Sequence, residues 1–162
     1  MKSVMISIRP HWIQKIFDGE KTVEIRKTRP KIDPPFRCYI YCTLPKYDHD
    51  DFLMTGPLSY YWGGGKVVGE FVCDKISQIP GNGPLDVCCG QLKGTAMSRE
   101  EFESYLGWGG GYGWHISNLK IYHNPKPLSE FKRWCGAGEW ETLERIKRPP
   151  QSWCYVEGGL TG

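Results

Sequence analysis

The alternation of apolar and polar residues divides the chain into short elements. Val4, Ile6 and Ile8 fall on one face of a strand over residues 4–8. Pro10 suits the first turn of a helix, and Trp12, Ile13, Ile16 and Phe17 line one face of it. Gly19 supplies the stop, so a helix is expected over residues 10–18. From Thr22 to Arg26 the alternation is strict. Val23 and Ile25 point one way, and Thr22, Glu24 and Arg26 point the other. Residues 30–35 read as a turn region, and Phe36 to Cys42 as a strand rich in β-formers. Lys66 to Ile76 is a longer strand, with Gly69 marking a bulge or the close approach of another backbone. Ser98 followed by Glu101 is a capping box for a helix that runs to Leu106. A glycine-rich link, residues 107–113, leads into a strand from Trp114 to Tyr122, which Pro125 and Pro127 are expected to end. Trp153 to Val156 forms a last short strand.

Between these elements, residues 44–63 read as a loop or hairpin excursion with an acidic tip at Asp48, Asp50 and Asp51. Residues 80–94 are rich in turn formers, and residues 157–162 read as a tail. The order is strand, helix, three strands, helix, two strands. Long crossover helices are missing, which argues against a doubly wound sheet. The expected fold is α+β: a small mixed β-barrel with a short helix after its first strand and a second helix near residues 98–106. No repeat or linker divides residues 1–162, so a single domain is expected.

Composition changes this picture little. A hydrophobic fraction of 40% supplies one core, and no apolar run is long enough to span a bilayer. The first residues lack the pattern of a signal peptide, which points to a cytoplasmic protein. Seven cysteines are scattered, odd in number and without a Cys-x-x-Cys pair. Cys38 and Cys42 would sit roughly 13 Å apart along a strand, too far to share one metal. They read as small buried hydrophobes, and no metal or cofactor is expected. The net charge of +3 is not the footprint of a dedicated duplex binder, but it accommodates a pocket for one nucleotide. Seven Trp, nine Tyr and six Phe fill a core first, with some rings left for stacking on a base.

The strongest constellation is Lys21, Glu24 and Arg26. Glu24 and Arg26 share a strand face, about 7 Å apart, and the arm of Lys21 reaches over the same face. Two cations suit a phosphate or a base carbonyl. A carboxylate suits an exocyclic amine or an imino edge. The plainer reading of the same spacing is a solvated Glu–Arg pair on a surface strand, worth little energetically. Trp114, His115 and Ser117 form a second group, with His115 and Ser117 on one face and Trp114 on the other. His115 is either a satisfied structural residue or, if it meets the ligand, a donor to phosphate. Thr22, Arg9, Ser152 and Trp153 complete the candidate ligand set. Trp153 is either a stacking ring or a cap on the core. Trp62 to Lys66 imitates a phosphate loop but lacks its spacing, and a strand follows. The basic run Arg145, Lys147 and Arg148 is interleaved with Glu139, Glu141 and Glu144. It reads as a solvated surface or as an extension of a phosphate track.

The segment ISIRPHWIQKIFDGEKTVEIRK, residues 6–27, resembles the opening of ASCH-domain proteins of the PUA-like superfamily. Its signature is carried by Gly19, Lys21, Glu24 and Arg26. Residues 65–76, 112–131 and 149–156 extend the resemblance over nearly the whole chain, and the later blocks are similar to a small type associated with phages and prophages. The resemblance implies a PUA-like barrel with a cleft lined by the signature residues, and RNA, a nucleotide or a modified base as partner. One branch of this family hydrolyses acetylated cytidine, and some members act as ribonucleases. In the amidohydrolase branch the position of Glu24 holds a threonine nucleophile, activated by the lysine that matches Lys21. Glu24 here departs from that pattern, and a neighbouring carboxylate is expected to hold Lys21 protonated. The branch also uses a carboxylate from a later helix, where Glu100, Glu101 and Glu103 all stand as candidates.

Three functions remain open on these grounds. The first is a non-catalytic module that binds RNA or a modified nucleotide at Lys21, Glu24 and Arg26. The second is a hydrolase of a modified nucleoside or of RNA, with Lys21 and Glu24 as its catalytic residues. The third is a phage accessory protein that sequesters a nucleotide or blocks a host factor. Oligomeric state is not legible in the sequence.

Overall fold

The computed structural model describes residues 1–44, 63–81 and 89–159. Eight strands and three helices alternate along it: β1 (Lys2–Ile8), α1 (Pro10–Phe17), β2 (Val23–Arg26), β3 (Phe36–Cys42), β4 (Lys66–Ile79), α2 (Cys89–Leu92), α3 (Arg99–Leu106), β5 (Gly111–Pro127), β6 (Lys132–Cys135), β7 (Thr142–Arg145) and β8 (Trp153–Glu157). The strands form one mixed sheet in the order β2-β5-β4-β3-β1-β8-β6-β7, which is open rather than closed on itself. Packing groups the chain into two units. One comprises Met1–Gln14, Arg37–Phe71 and Leu119–Gly162, and the other Lys15–Phe36 and Val72–Asn118.

In the first unit β1 is the central strand. It runs parallel to β3, with Val4 opposite Cys38, and antiparallel to β8, with Ile6 opposite Trp153. Strands on both sides and packing on both faces bury Ser3 to Ile8 without a break. Met5, on the face away from Val4 and Ile6, packs with Tyr39, Tyr41, Val67, Phe131 and Val156. Tyr39 meets Phe131 edge to face at 5.1 Å. Gly69 is a point of close approach, since a Cβ there would lie 2.6 Å from the Lys120 carbonyl oxygen.

The second unit has its own core, in which Val23 and Ile25 of β2 pack against Ile79 and against Phe102 and Leu106 of α3. Ser98 caps α3 as expected. Its side chain accepts from the Glu101 N–H, and the Glu101 carboxylate accepts from the Ser98 N–H. Gly19, at φ +81°, closes α1 with its N–H on the Ile16 carbonyl at 3.1 Å.

Several expectations need correction. Helix α1 buries a narrower stripe than its pattern suggests: Ile13 and Ile16 are buried, while Trp12 and Phe17 are only half-buried. Strand β5 passes through Pro125 and ends at Pro127. The pairing of β5 with β2 spans only Tyr112 to His115, so Pro125 interrupts no hydrogen bond to β2. The run from Glu139 to Arg148 is largely exposed, as expected, but part of it belongs to an unforeseen β6–β7 hairpin, with one 3-10 turn before β6 (Leu128–Glu130) and another between the two strands (Gly138–Trp140). Glu157 belongs to β8, opposite Lys2, rather than to a tail. The excursion at 44–63 lies outside the described residues except for Leu44 and Gly63.

Cys38, Cys42 and Cys73 are buried free thiols, and burial pushes the Cys42 thiol up to about 12. No helix among the described residues is long and apolar enough to cross a membrane.

Phe131→Ala should cost about 3–5 kcal/mol, the range for a fully buried phenylalanine. Gly69→Ala should cost about 1–3 kcal/mol, because the obstacle is backbone and cannot swing aside. Urea unfolding of both variants checks this, and a wild-type midpoint for Gly69→Ala would show that the two strands can separate at no cost.

Candidate functional site

The approach to β2 is built by a loop that is laid against its first residues. The Gly94 carbonyl accepts from the N–H groups of both Thr22 (2.7 Å) and Val23 (2.9 Å). Gly94 has φ +79°, and a Cβ on it would lie 2.5 Å from Thr22 Oγ1, so the position suits glycine alone. The next carbonyl, of the fully buried Thr95, accepts from Lys21 Nζ at 2.6 Å. The Thr95 hydroxyl donates to the Leu92 carbonyl and accepts from the Met97 N–H, which fixes the loop.

Lys21, Glu24 and Arg26 therefore meet in a dry setting, with relative exposures of 2%, 6% and 8%. Glu24 Oε1 accepts from Arg26 Nε at 3.1 Å, and Glu24 Oε2 lies 3.6 Å from Lys21 Nζ. This removes the reading of a solvated surface pair. Two cations face one carboxylate, and the charges have lost most of their water. Burial pulls the Lys21 ammonium below its usual range, against the opposing pull of Glu24. Glu24 pulls in the direction expected of it, towards the protonated lysine, while burial pulls the other way. Glu24 Oε2 is buried and accepts no hydrogen bond from the described residues.

The cross-strand register decides which other candidates share this face. Trp114 on β5 stands directly opposite Glu24, and directly opposed residues project to the same side of a sheet. Trp114 is fully buried, edge-on to Phe36 at 5.9 Å. His115 stands opposite Val23 and so lies on the other face. Its Nε2 is 2.8 Å from Ser77 Oγ, and burial lowers its pKa. Ser117 donates to the Val72 carbonyl at 3.0 Å. Thr22 is exposed. Arg9, Ser152 and Trp153 belong to the first unit. The Arg9 carbonyl accepts from the Trp12 and Ile13 N–H groups at the start of α1. The Ser152 carbonyl accepts from the Ser7 N–H, and Trp153 packs edge-on to Tyr155 at 5.4 Å.

Of the three glutamates on α3, Glu101 is the one whose charge reaches Lys21, although its carboxylate also serves the capping box. Glu103 pairs with Arg99 instead. Tyr105, which sequence reasoning missed, is 38% exposed on α3. Its phenol feels the charges of Arg26 and Glu24 and is hydrogen-bonded to the backbone of Lys27, while Lys27 Nζ lies 5.3 Å from its ring centroid. The available signal was its position on α3 beside the buried residues Phe102 and Leu106.

Because the folded protein holds Lys21 below 10.5, a charged Lys21 costs stability. That cost is full below the lowered value and vanishes as pH rises through 10.5. Lys21→Met removes it, together with the bond to Thr95. The stability difference between variant and wild type should therefore shift in favour of wild type as pH is raised from neutral towards 10.5. Paired urea titrations across that range check the sign, and a difference that does not change with pH would show that Lys21 is not perturbed.

No protein-family model and no curated protein matches the chain. Solved structures do. The ASCH protein of Zymomonas mobilis is 18% identical and superimposes with a TM-score of 0.56, covering 96% of this chain and 88% of that one. A Ser-to-Ala variant of the same protein, also 18% identical, gives 0.64 over 96% and 89%. A Tyr-to-Phe variant, 19% identical, gives 0.54 over 98% and 92%. The open mixed sheet with its short helix after the first strand is therefore the fold of an ASCH domain.

Proposed function

We propose that the chain is a binding module for a nucleotide or a nucleic-acid base, held at Lys21, Glu24 and Arg26. The observation that carries this reading is Glu24 Oε2, a buried carboxylate oxygen whose ion-pair partner Lys21 Nζ stands 3.6 Å away, beyond good hydrogen-bond distance. Such a group is expensive unless a donor meets it. An exocyclic amine or imino N–H of a base supplies that donor. Arg26 and Lys21 add positive charge for a base carbonyl or a phosphate. Tyr105 offers an exposed ring close enough to feel both Glu24 and Arg26. The likeness to ASCH structures supports the same ligand class, since the PUA-like proteins that this chain resembles include RNA binders and readers of modified bases.

A second reading, hydrolysis of an acylated base or of RNA, draws on the lowered pKa of Lys21. A lysine that loses its proton more readily is more available as a general base near neutral pH, and Glu24 beside it would orient water. The missing threonine nucleophile weighs against this reading, as does the engagement of Glu101 in the helix cap.

Titration with the four nucleoside monophosphates and with acetylated cytidine tests the proposal. Arg26→Ala should weaken binding by about 1.5–3 kcal/mol, the worth of a charge-assisted contact. Glu24→Gln should change which base is preferred, because an amide both donates and accepts. Incubation with acetylated cytidine and short RNA should give no turnover. Clear wild-type turnover that falls about 10²–10⁴-fold in Glu24→Gln would replace the binding module with a hydrolase.

A further inference from the structure

The β6–β7 hairpin carries a concentration of cations that the sheet itself does not need. Arg133, Cys135, Glu144, Arg145, Lys147 and Arg148 line a shallow, open depression. Four cationic side chains there face one carboxylate. Arg133 stands opposite Glu144 in the register, yet none of the four cations enters an ion pair among the described residues. Lys132 stands directly opposite Arg145, a like-charge pairing that weakens a hairpin. The sequence thus accepts electrostatic repulsion at this place.

The strip from Arg145 to Arg148 is held at both ends. Ile146 is buried in the core of the first unit, and its N–H donates to the Phe131 carbonyl at 3.1 Å. The Pro150 carbonyl accepts from Ser7 Oγ at 2.6 Å. Lys147 and Arg148 are exposed on a backbone that is anchored on either side of them. The same hairpin also presents an aromatic ring. Trp140, in the turn between β6 and β7, is 85% exposed. Its backbone is fixed by its own N–H on the Ala137 carbonyl at 3.2 Å.

We propose that the β6–β7 hairpin is a docking surface for single-stranded nucleic acid, with phosphates over Arg133, Arg145, Lys147 and Arg148 and a base stacked on Trp140. Exposed cations with an exposed indole form the combination that grips a strand without reading its sequence: charge follows the backbone, and the ring takes the face of any base. An acidic protein would also bury such an indole, and competition by polyglutamate distinguishes it from a nucleic-acid strand. This inference rests on the reading of the protein as a nucleotide or nucleic-acid binder, and extends it from one nucleotide to a strand.

The test is fluorescence anisotropy with a labelled single-stranded RNA of about 12 nucleotides, a length within the usual range of such sites. Salt is varied between about 50 and 200 mM. The combined variant Arg145→Ala, Lys147→Ala, Arg148→Ala should weaken binding and lower the slope of log affinity against log salt by about 2, given roughly 0.7 per phosphate contact. Trp140→Ala should weaken binding about 5- to 150-fold and leave the slope unchanged. All these side chains are exposed, and circular dichroism confirms that the variants fold. Wild-type affinity and slope in both variants would overturn the inference. So would competition by polyglutamate as effective as by unlabelled RNA, or failure of the wild type to bind the RNA. Arg26→Ala in the same assay separates the two proposals. Loss in Arg26→Ala alone leaves the Lys21 site standing without the hairpin, and loss in the hairpin variants alone leaves the hairpin standing without the Lys21 site.

Discussion

Removing a carboxylate and two cations from water is the constraint around which the second unit is organised. Each ion in such a setting forfeits several kcal/mol of hydration, and only close partners return it. Glu24 receives Arg26 at 3.1 Å, and Lys21 is tied to the Thr95 carbonyl at 2.6 Å. That carbonyl is in place because Gly94 turns the chain against the start of β2 and Thr95 is bonded into its own loop. The arrangement is a poor source of stability, since an apolar cluster of the same size would serve the fold at least as well.

The two charged regions of the molecule obey different physics. At Lys21, Glu24 and Arg26 the charges are shielded from solvent, so their mutual attraction is strong and salt reaches them little. On the β6–β7 hairpin the cations are exposed and their field is screened within about a Debye length. The first arrangement is set by the geometry of three side chains, and the second by the amount of exposed charge.

The elements that the sequence disclosed are those in which one local rule suffices. The β-formers of residues 36–42, the Ser98–Glu101 box and the close approach at Gly69 needed only neighbouring residues, and each stands where it was expected. Strict alternation also put Glu24 and Arg26 on a common face. Alternation cannot say whether a polar face is covered, and the burial of that face had to come from structure. Trp114 joined the site through its register with Glu24, a pairing across some ninety residues that no local pattern encodes. The β6–β7 hairpin escaped notice because KRWC and TLER each place only half-buried residues among charged ones. With so little apolar alternation, a strand looks like a solvated loop.

The position of β1 between β3 and β8 bears on how the protein is made. The Gly158 N–H bonds the Met1 carbonyl at 2.9 Å, so residues at the two extremes of the described chain are hydrogen-bonded neighbours. As the chain is synthesised, β1 appears before β3 and pairs with it early, while its other edge waits for β8. Over that interval a strand that is buried almost throughout in the folded protein presents an open row of backbone donors and acceptors, the surface on which unfinished chains join each other. Completing that edge requires contacts of very large sequence separation, which slows the last step of folding. The edge of β1 is thus the place where an incomplete chain is most open to pairing with other strands until β8 arrives.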